Sequence, residues 1–258
     1  MTINKQAIAA SFSKAASNYD HFASLQRCIG KQLLADMTQL EASHILDMGC
    51  GTGYFSEKLG AKFKQRYINC LDISANMLLE VKKRSQNKVI CVQGDIDALP
   101  FKDASFDLIY SNLVVQWSAD LSLCLGQVKR CLKTGGKAYL STLLEGSLGE
   151  LTQAWKSVDS FAHTNTFMSL ARLRKDLKTA GFTQVTLRVE THTLTYENVL
   201  HVMRALKGVG ANHVHGHQGN TLGVKSLIKK LQKGYQPFKN SQGKYPLTYQ
   251  VCYIEVAK

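Results

Sequence analysis

One short glycine-rich segment constrains the fold of this chain more than any other feature. It follows the apolar pair Ile45-Leu46 and reads Asp47-Met48-Gly49-Cys50-Gly51-Thr52-Gly53. Glycines at this spacing let the backbone approach a ligand closely, and a helix that starts just after them points its N-terminus at the same place. The sequence therefore predicts a strand, a ligand-binding turn and a helix.

Two common nucleotide-binding motifs do not fit this segment. A dinucleotide fingerprint has the form G-x-G-x-x-G, and the two possible registers place Tyr54 or Ser56 where the third glycine is required. The P-loop pattern G-x-x-x-x-G-K-[ST] does not occur in the sequence. A nicotinamide cofactor and a P-loop nucleotide are therefore disfavoured.

The chain around the motif alternates between short apolar runs and amphipathic stretches. The periodicity predicts strands over residues 44–48, 67–71, 89–93, 106–111 and 137–142, helices over 54–63, 75–84 and 121–132, and a turn over 133–136. Strands that alternate with helices form βαβ units, a parallel sheet and right-handed crossovers. We therefore expect an α/β core over residues 41–142.

Further segments are expected before and after this core. Residues 5–38 have helical periodicity that is interrupted near Asn18-Tyr19-Asp20, which predicts a helical cap over residues 1–40. A helical insertion is expected over 143–168, with a helix over 148–162. Residues 169–258 would complete the core with helices over 169–180 and 196–206, strands over 185–194 and 248–256, and a basic insertion at about 207–246 that contains a helix over 224–231.

The distribution of charge indicates an acidic partner. The 258 residues include 32 Lys and Arg against 19 Asp and Glu, a formal net charge of +13, and no acidic residue lies between Glu197 and Glu255. A field of this sign raises the encounter rate with nucleic acid, an acidic protein or an anionic membrane. The alternative is a solvated basic face that has no partner.

Other features indicate a cytoplasmic protein. No apolar run approaches the roughly 20 residues that span a bilayer, and the first ten residues lack the apolar centre of a signal peptide. The seven cysteines are scattered and contain no C-x-x-C pair, as expected for reduced thiols. The alternating histidines His213, His215 and His217 make a poor metal site, so no metal is expected.

The glycine motif and the elements after it resemble the class I S-adenosylmethionine (SAM)-dependent methyltransferases. This resemblance implies a Rossmann-like seven-stranded sheet, mostly parallel with an antiparallel last strand. It implies that Asp72 accepts both ribose hydroxyls, that Asp95 accepts from the adenine amino group, and that Ile96 covers the ring. The implied cofactor-binding residues are Asp47, Gly49, Cys50, Gly51, Gly53, Asp72, Ile73, Asp95, Ile96 and Asn112.

The end of the fourth strand argues against two classes of acceptor. Ser111-Asn112-Leu113-Val114 contains no proline, whereas enzymes that methylate nucleobase amines commonly carry [DNS]-P-P-[YFW] there. The segment also has no cysteine, which cytosine C5 methyltransferases require. RNA methylation, which the basic charge favours, thus lacks a supporting motif.

Segments along the whole chain resemble the malonyl-acyl-carrier-protein O-methyltransferase family, whose members start pimeloyl synthesis for biotin in many bacteria. The matching segments are Asn4 to Ala9, Leu25-Gln26-Arg27, Ser111-Asn112-Leu113 with Gln116-Trp117, Glu150 to Asp159, His163 to Phe167, Arg204 to Ala211 and Tyr245 to Tyr249. The resemblance implies methylation of a malonyl carboxylate. It also implies acyl carrier protein as an acidic partner for the basic tract over 204–244, with no nucleic acid or membrane partner. We expect a monomer.

A carboxylate acceptor is ionised near pH 7, since its reference pKa is about 4, so we expect no general base. We expect in-line transfer assisted by Tyr19, Gln116, Arg204 and Lys207. The predicted substrate-binding residues are Arg27, Trp117, His163, Asn165, Arg204 and Lys207. Two alternatives stay open, namely another small-molecule methyltransferase acting on a quinone or lipid precursor, and a SAM-binding protein without activity. The choice between a carrier-protein and a coenzyme A (CoA) thioester also stays open.

Overall fold

A seven-stranded sheet organises the computed structural model, which describes residues 4–38, 41–64, 68–85, 89–211 and 224–258. The strands are β1 (Ile45–Met48), β2 (Ile68–Asp72), β3 (Val89–Gln93), β4 (Phe106–Asn112), β5 (Leu132–Leu144), β6 (Gln184–Tyr196) and β7 (Tyr245–Ala257). Their order in the sheet is β3-β2-β1-β4-β5-β7-β6. Strands β1 to β5 pair in parallel, and β7 runs antiparallel between β5 and β6. The predicted mostly parallel sheet with an antiparallel last strand is confirmed.

Helices cover both faces of this sheet. They are α1 (Lys5–Ala15), α2 (Tyr19–Phe22), α3 (Ser24–Ala35), α4 (Tyr54–Lys62), α5 (Ala75–Ser85), α6 (Leu121–Cys131), α7 (Gly149–Lys156), α8 (Leu170–Thr179), α9 (Val199–Gly208) and α10 (Val224–Tyr235). One core contains side chains of α3, α4, α5, α7 and α9, and the other contains side chains of α6 and α8. Strands β1, β4 and β5 contribute to both cores because successive residues face opposite sides of the sheet.

Strand β5 differs from its prediction. It begins at Leu132, so the turn expected over 133–136 lies within the strand. Its pairing with β4 shifts between the pairs Phe106–Leu132 and Leu108–Lys137, and Gly135 has a φ of 78°. The glycines therefore form an irregularity in the ladder, where a residue with a positive φ is tolerated.

Strand β7 also begins earlier than predicted, at Tyr245, so Pro246 lies inside the strand. Pro246 pairs with Thr195 of β6, whereas the pairing of β7 with β5 ends at Gln250 and Leu144. At Pro246 the strand therefore has only one neighbouring strand. A proline, which has no N–H group, is tolerated at such an edge.

Helix α7 is shorter than the predicted helix over 148–162. It ends at Lys156, and the Ser157 hydroxyl donates to the Ala154 carbonyl at 2.7 Å. A serine that satisfies a helix carbonyl with its own side chain competes with continuation of the helix. The chain then turns, and residues 163–167 reach the cavity described below. No helix in the described residues is long and apolar enough to cross a membrane.

Candidate active site

The glycine motif forms a tight turn between β1 and α4. Gly49, Gly51 and Gly53 have φ values of 74°, 54° and 80°, and the backbone N–H groups of Gly49 and Cys50 both donate to the Leu71 carbonyl. A Cβ atom on Gly49 would lie 2.4 Å from the Val114 side chain, whereas one on Gly51 would project into open space. The turn therefore needs glycine for its conformation, and Gly51 leaves room for a ligand against the backbone.

Two buried carboxyl groups flank this turn. Asp72, at the end of β2, accepts from the backbone N–H groups of Gly51 at 2.9 Å and Ser74 at 2.8 Å. Asp47 accepts from the Ser56 hydroxyl at 2.6 Å. Burial raises the pKa of Asp72 to about 6 and that of Asp47 to about 7, because an apolar environment disfavours the charged form. Burial also raises the pKa of the Cys50 thiol, so this cysteine is not activated as a nucleophile.

The first cavity, of about 610 Å³, opens above these strand ends. It brings together seven of the residues predicted to bind the cofactor: Gly49, Gly51, Asp72, Ile73, Asp95, Ile96 and Asn112. Asn112 also fastens the cap, since its side-chain amide donates to the Gln26 carbonyl at 2.9 Å. Gly53 does not line this cavity and is instead the N-cap residue that precedes α4.

Lys5 of helix α1 lines the first cavity, although it was not among the predicted site residues. The Lys5 ammonium lies 2.7 Å from carboxylate oxygens of both Asp95 and Asp97. Asp95 Oδ1 thus has a cationic partner, and its other oxygen is not bonded to Lys5. A lysine near the start of an amphipathic helix gives no signal in the sequence that distinguishes it from a solvated one.

A recess of about 420 Å³ continues from the first cavity along the glycine turn. Asp47 and Cys50 line it, together with Tyr19, Gln26 and Arg27 of the cap. The Arg27 guanidinium donates to the Asp20 carbonyl and lies 5.8 Å from the centre of the Tyr54 ring. Arg27 therefore contacts the region predicted to bind the cofactor, and it does not line the second cavity.

The second cavity, of about 1170 Å³, adjoins the first and shares Phe12, Tyr19, Leu113 and Trp117 with it. Five of the predicted substrate-binding or catalytic residues meet here: Tyr19, Gln116, Trp117, His163 and Asn165. Phe12 packs against Trp117 edge to face, with ring centres 5.5 Å apart. Phe12 was missed because it resembles the other apolar residues of α1.

Tyr19 and His163 are two of the three titratable side chains among the described residues that line the second cavity, and the third is Tyr249. Tyr19 lines both cavities and the recess, and burial raises the pKa of its phenol, so it is a neutral hydrogen-bond donor. His163 Nε2 lies 2.7 Å from Asp159 Oδ1, and its ring stacks on Trp155 with centres 3.8 Å apart. These contacts hold the imidazole in one orientation.

No Lys or Arg among the described residues lines the second cavity. Arg204 and Lys207 lie on the exposed side of α9, whereas Met203 and Leu206 of the same helix line the cavity. The expectation that Arg204 and Lys207 hold a carboxylate inside the site is therefore corrected. At 3.6 residues per turn, the pair 204 and 207 is centred about 100° around α9 from the pair 203 and 206, so the two pairs lie on adjacent faces of the helix.

Gln26 is a further residue of the site that was not among the predicted site residues. It lines both the second cavity and the recess, and its side-chain Oε1 is buried without a hydrogen-bond partner among the described residues. Its only signal in the sequence is its place in Leu25-Gln26-Arg27. The three histidines 213, 215 and 217, which were predicted to make a poor metal site, lie outside the described residues. No cluster of His, Cys, Asp or Glu that could hold a metal occurs in the part of the chain that is described.

Comparison with known proteins agrees with this geometry. Residues 46–140 match the family described as "Methyltransferase domain". The chain is 39% identical over 252 residues to "Malonyl-[acyl-carrier protein] O-methyltransferase" of Serratia marcescens, covering 98% of this chain and 95% of that protein. It is 40% identical over 256 residues to the protein of the same name from Erwinia billingiae, covering 98% and 97%.

Similar solved structures share the fold at low sequence identity. The YcgJ protein from Bacillus subtilis has a TM-score of 0.62 at 17% identity, covering 88% of this chain and 97% of its own. Phosphoethanolamine N-methyltransferase 2 of Haemonchus contortus, solved with S-adenosyl-L-methionine, has a TM-score of 0.58 at 16% identity, covering 95% and 57%. At this identity the likeness establishes the fold.

Proposed function

Because this chain belongs to the malonyl-[acyl-carrier protein] O-methyltransferase family, we propose that it transfers a methyl group from SAM to the free carboxylate of malonyl-acyl-carrier protein. The product, a malonyl methyl ester, would prime biotin synthesis. "Biotin biosynthesis bifunctional protein BioHC" of Cellvibrio japonicus is 34% identical over 257 residues, which cover 99% of this chain and 51% of that protein. The observation that carries the proposal is the meeting of two different cavities at Tyr19.

The residues of the first cavity fit SAM. An ionised Asp72 has about four acceptor positions, and the backbone N–H groups of Gly51, Ser74 and Ile73 act on it. The acceptor capacity that remains would serve the ribose hydroxyls. Asp95, whose carboxylate Lys5 orients, would accept from the adenine amino group, and Ile96 would cover the ring. The open space at Gly51 admits the cofactor against the backbone. SAM, when bound, supplies an electrophilic methyl group.

The second cavity fits an acceptor that needs no general base. A malonyl carboxylate is already ionised at neutral pH, so the protein has to orient it and keep water away. Apolar side chains such as Leu113, Leu143 and Phe167 form much of the wall. Excluding water matters because a hydrated carboxylate is a weak nucleophile.

Hydrogen-bond donors without a fixed positive charge suit this reaction. A bidentate arginine would stabilise the ionised substrate more than the transition state, in which the carboxylate loses its charge. The phenol of Tyr19 and the amides of Gln26 and Asn165 line this cavity. His163 also lines it, but a neutral imidazole whose Nε2–H donates to Asp159 has only an acceptor left at Nδ1. Gln116 acts differently, since its amide already donates to the Leu113 carbonyl and accepts from Thr142, and so shapes the wall beside Trp117.

We further propose that the enzyme works as a cytoplasmic monomer with acyl carrier protein as its macromolecular partner. All seven cysteines are free, which fits a reducing compartment. The net charge of +13 favours encounter with an acidic carrier protein.

The decisive assay follows labelled methyl transfer from SAM to malonyl-acyl-carrier protein, malonyl-CoA, acetyl-acyl-carrier protein and RNA at two salt concentrations. We expect a base-labile ester on the malonyl thioesters and no label on the acetyl form or on RNA. Intact SAM binding without label on either malonyl thioester would refute the proposal. It would favour the alternative of a different small-molecule methyltransferase.

A further inference from the structure

A surface groove outside both cavities carries three positive charges. It runs between the cap and α9, and Lys14, Arg204 and Lys207 line it. Its apolar lining includes Ala7, Ala10 and Phe22, and no Asp or Glu among the described residues lines it. Small side chains on α1 leave space for a segment of another molecule to lie against the helix.

The three cations of this groove have no acidic partner within the described part of the chain. Lys14, Arg204 and Lys207 form no salt bridge with any described residue, unlike Lys5, Arg84 and Arg130 elsewhere on the surface. Lys207 lies in the last turn of α9, where the helix dipole favours a cation. Lys14 lies in the last turn of α1, where the dipole of that helix favours a cation in the same way. The dipoles do not account for Arg204, which lies before the last turn of α9, or for the absence of Asp and Glu from the described lining of the groove.

The groove lies on a face of α9 adjacent to the one that lines the second cavity. Phe22 packs directly on Gly208, where a Cβ atom would lie 2.2 Å from the ring, so the cap and α9 are in close contact. Just beyond this contact Ser11 donates to the Gly210 carbonyl, and the next residue, Ala211, lines the second cavity. The groove and the second cavity thus lie on neighbouring faces of α9, near the C-terminal end of that helix.

We propose that this groove docks the acidic surface of the acyl carrier protein, which then extends its thioester arm around the end of α9 into the second cavity. The inference rests on the proposed function and assigns its partner to Lys14, Arg204 and Lys207. It gives Arg204 and Lys207, the two cations on α9, a role outside the catalytic cavity. Charge complementarity of this kind mainly sets the rate of encounter and the choice of partner.

A second basic surface supplies a matched control. Helix α8 exposes Arg174, Lys175 and Lys178, so it could attract the same acidic protein without specific docking. Unlike the groove, α8 packs with α6 in the core that does not contain α9. Triple reversal to glutamate changes the net charge equally at either surface, which separates local docking from a general effect of charge.

The test compares the variant K14E/R204E/K207E with the variant R174E/K175E/K178E. We expect the groove variant to raise the KM for malonyl-acyl-carrier protein about tenfold or more and to leave turnover of malonyl-CoA within about twofold. The α8 variant should stay near wild type with both substrates. Binding of S-adenosylhomocysteine and the melting temperature report whether each variant is folded. If the groove variant is not folded, the milder K14Q/R204Q/K207Q replaces it.

Direct titration of the three proteins with holo-acyl carrier protein makes the inference independent of catalysis. Loss of binding in the groove variant alone supports docking in the groove. This conclusion would hold even if the wild type methylated neither malonyl thioester, a result that would refute the proposed function but not the docking site. Equal loss in the α8 variant, or unchanged binding in the groove variant, overturns the inference. An equal loss of malonyl-CoA turnover in the groove variant also overturns it, because the defect would then lie in the catalytic cavity.

Discussion

Asp72 illustrates how one side chain serves the turn and the ligand together. Its carboxylate fixes the backbone of Gly51 and Ser74, so it is oriented before any cofactor arrives. Burial disfavours its charge, and the backbone N–H groups of Ser74, Gly51 and Ile73 offset this effect only in part. Hydroxyl donors from a ribose would complete the shell around the carboxylate, which makes Asp72 a sensitive test of the proposed cofactor site.

We predict that Asp72→Asn raises the Kd of S-adenosylhomocysteine about 10- to 100-fold. Hydrogen bonds to a charged group contribute about 1.5–3 kcal/mol, and about 1.4 kcal/mol corresponds to a factor of ten. Calorimetric titration measures the effect. Asp103→Asn is the matched control, because Asp103 is exposed and pairs with Arg130 away from the cavities. A Kd within about twofold of wild type in D72N would remove Asp72 from the site.

The raised pKa of Asp72 predicts a pH dependence of cofactor binding. The hydroxyls need the ionised carboxylate, so the affinity for S-adenosylhomocysteine should fall as the pH drops below about 6, approaching tenfold per pH unit. Binding should release a proton in this range, which titrations in two buffers of different ionisation enthalpy detect. D72N should show a flatter profile and retain only the contribution of other groups, such as Asp47 with its pKa of about 7.

The same group affects the free protein with the opposite sign. A carboxyl group whose folded pKa is raised from 3.8 to about 6 favours folding fully below pH 3.8, and this contribution is lost as the pH rises to about 6. The cofactor-free enzyme should therefore lose stability through Asp72 over the range in which it gains affinity. A pH-independent Kd together with a pH-independent melting temperature would contradict the buried, ionisable state assigned to Asp72.

Strands and helices were predicted correctly where the local sequence pattern alone determines their bounds. Each of β1 to β4 is an apolar run beside a turn signal, and their observed bounds lie within one or two residues of the predicted ones. Strand β7 extends through Pro246 because β5 has already ended, which only the assembled sheet determines. Arg204 and Lys207 were misplaced for a similar reason, since their distance from the cavity depends on how α9 is rotated.

Gly30 of helix α3 is needed because the helix packs closely against neighbouring side chains at this position. A Cβ atom on Gly30 would lie 2.3 Å from the Phe55 ring and 2.6 Å from the Tyr110 hydroxyl, which itself donates to the Gly30 carbonyl at 3.1 Å. This close approach brings the cap helix onto β4. In helix α6, by contrast, a Cβ atom on Gly126 would meet nothing within 4 Å.

We predict opposite effects of alanine at these two helical glycines. Gly30→Ala should lower the free energy of unfolding by about 1–3 kcal/mol, because it overpacks a buried contact. Gly126→Ala should raise it by about 0.5–1 kcal/mol, since alanine restricts the unfolded chain and favours a helix. Urea unfolding of both variants measures the difference. Equal effects would show that helix propensity alone, and not the contact with Phe55, governs position 30.

At the scale of the whole molecule, the N-terminal cap closes the proposed cofactor site and is fastened at both ends. At one end Lys5 pairs with Asp95 and Asp97. At the other, Asp20 pairs with Arg84 and accepts from the Thr52 hydroxyl at 2.7 Å. Between them the Ser13 and Ser74 hydroxyls are hydrogen-bonded at 2.8 Å. We therefore expect a cofactor that binds beneath the cap to enter and leave by loosening these contacts.

We predict that the double variant Lys5→Met/Asp20→Asn releases S-adenosylhomocysteine about tenfold faster than wild type while its free energy of unfolding falls by no more than about 2 kcal/mol. Partly exposed ion pairs contribute about 0–1 kcal/mol each, so the core beneath the cap should remain folded. Stopped-flow release gives the rate, and hydrogen exchange of α1 should become faster than that of α6. Lys137→Met is the control, because it breaks the Lys137–Glu255 pair between β5 and β7 without touching the cap. If the double variant released the ligand at the wild-type rate, cap opening would not limit exchange, and the recess beside Arg27 would be the route to examine instead.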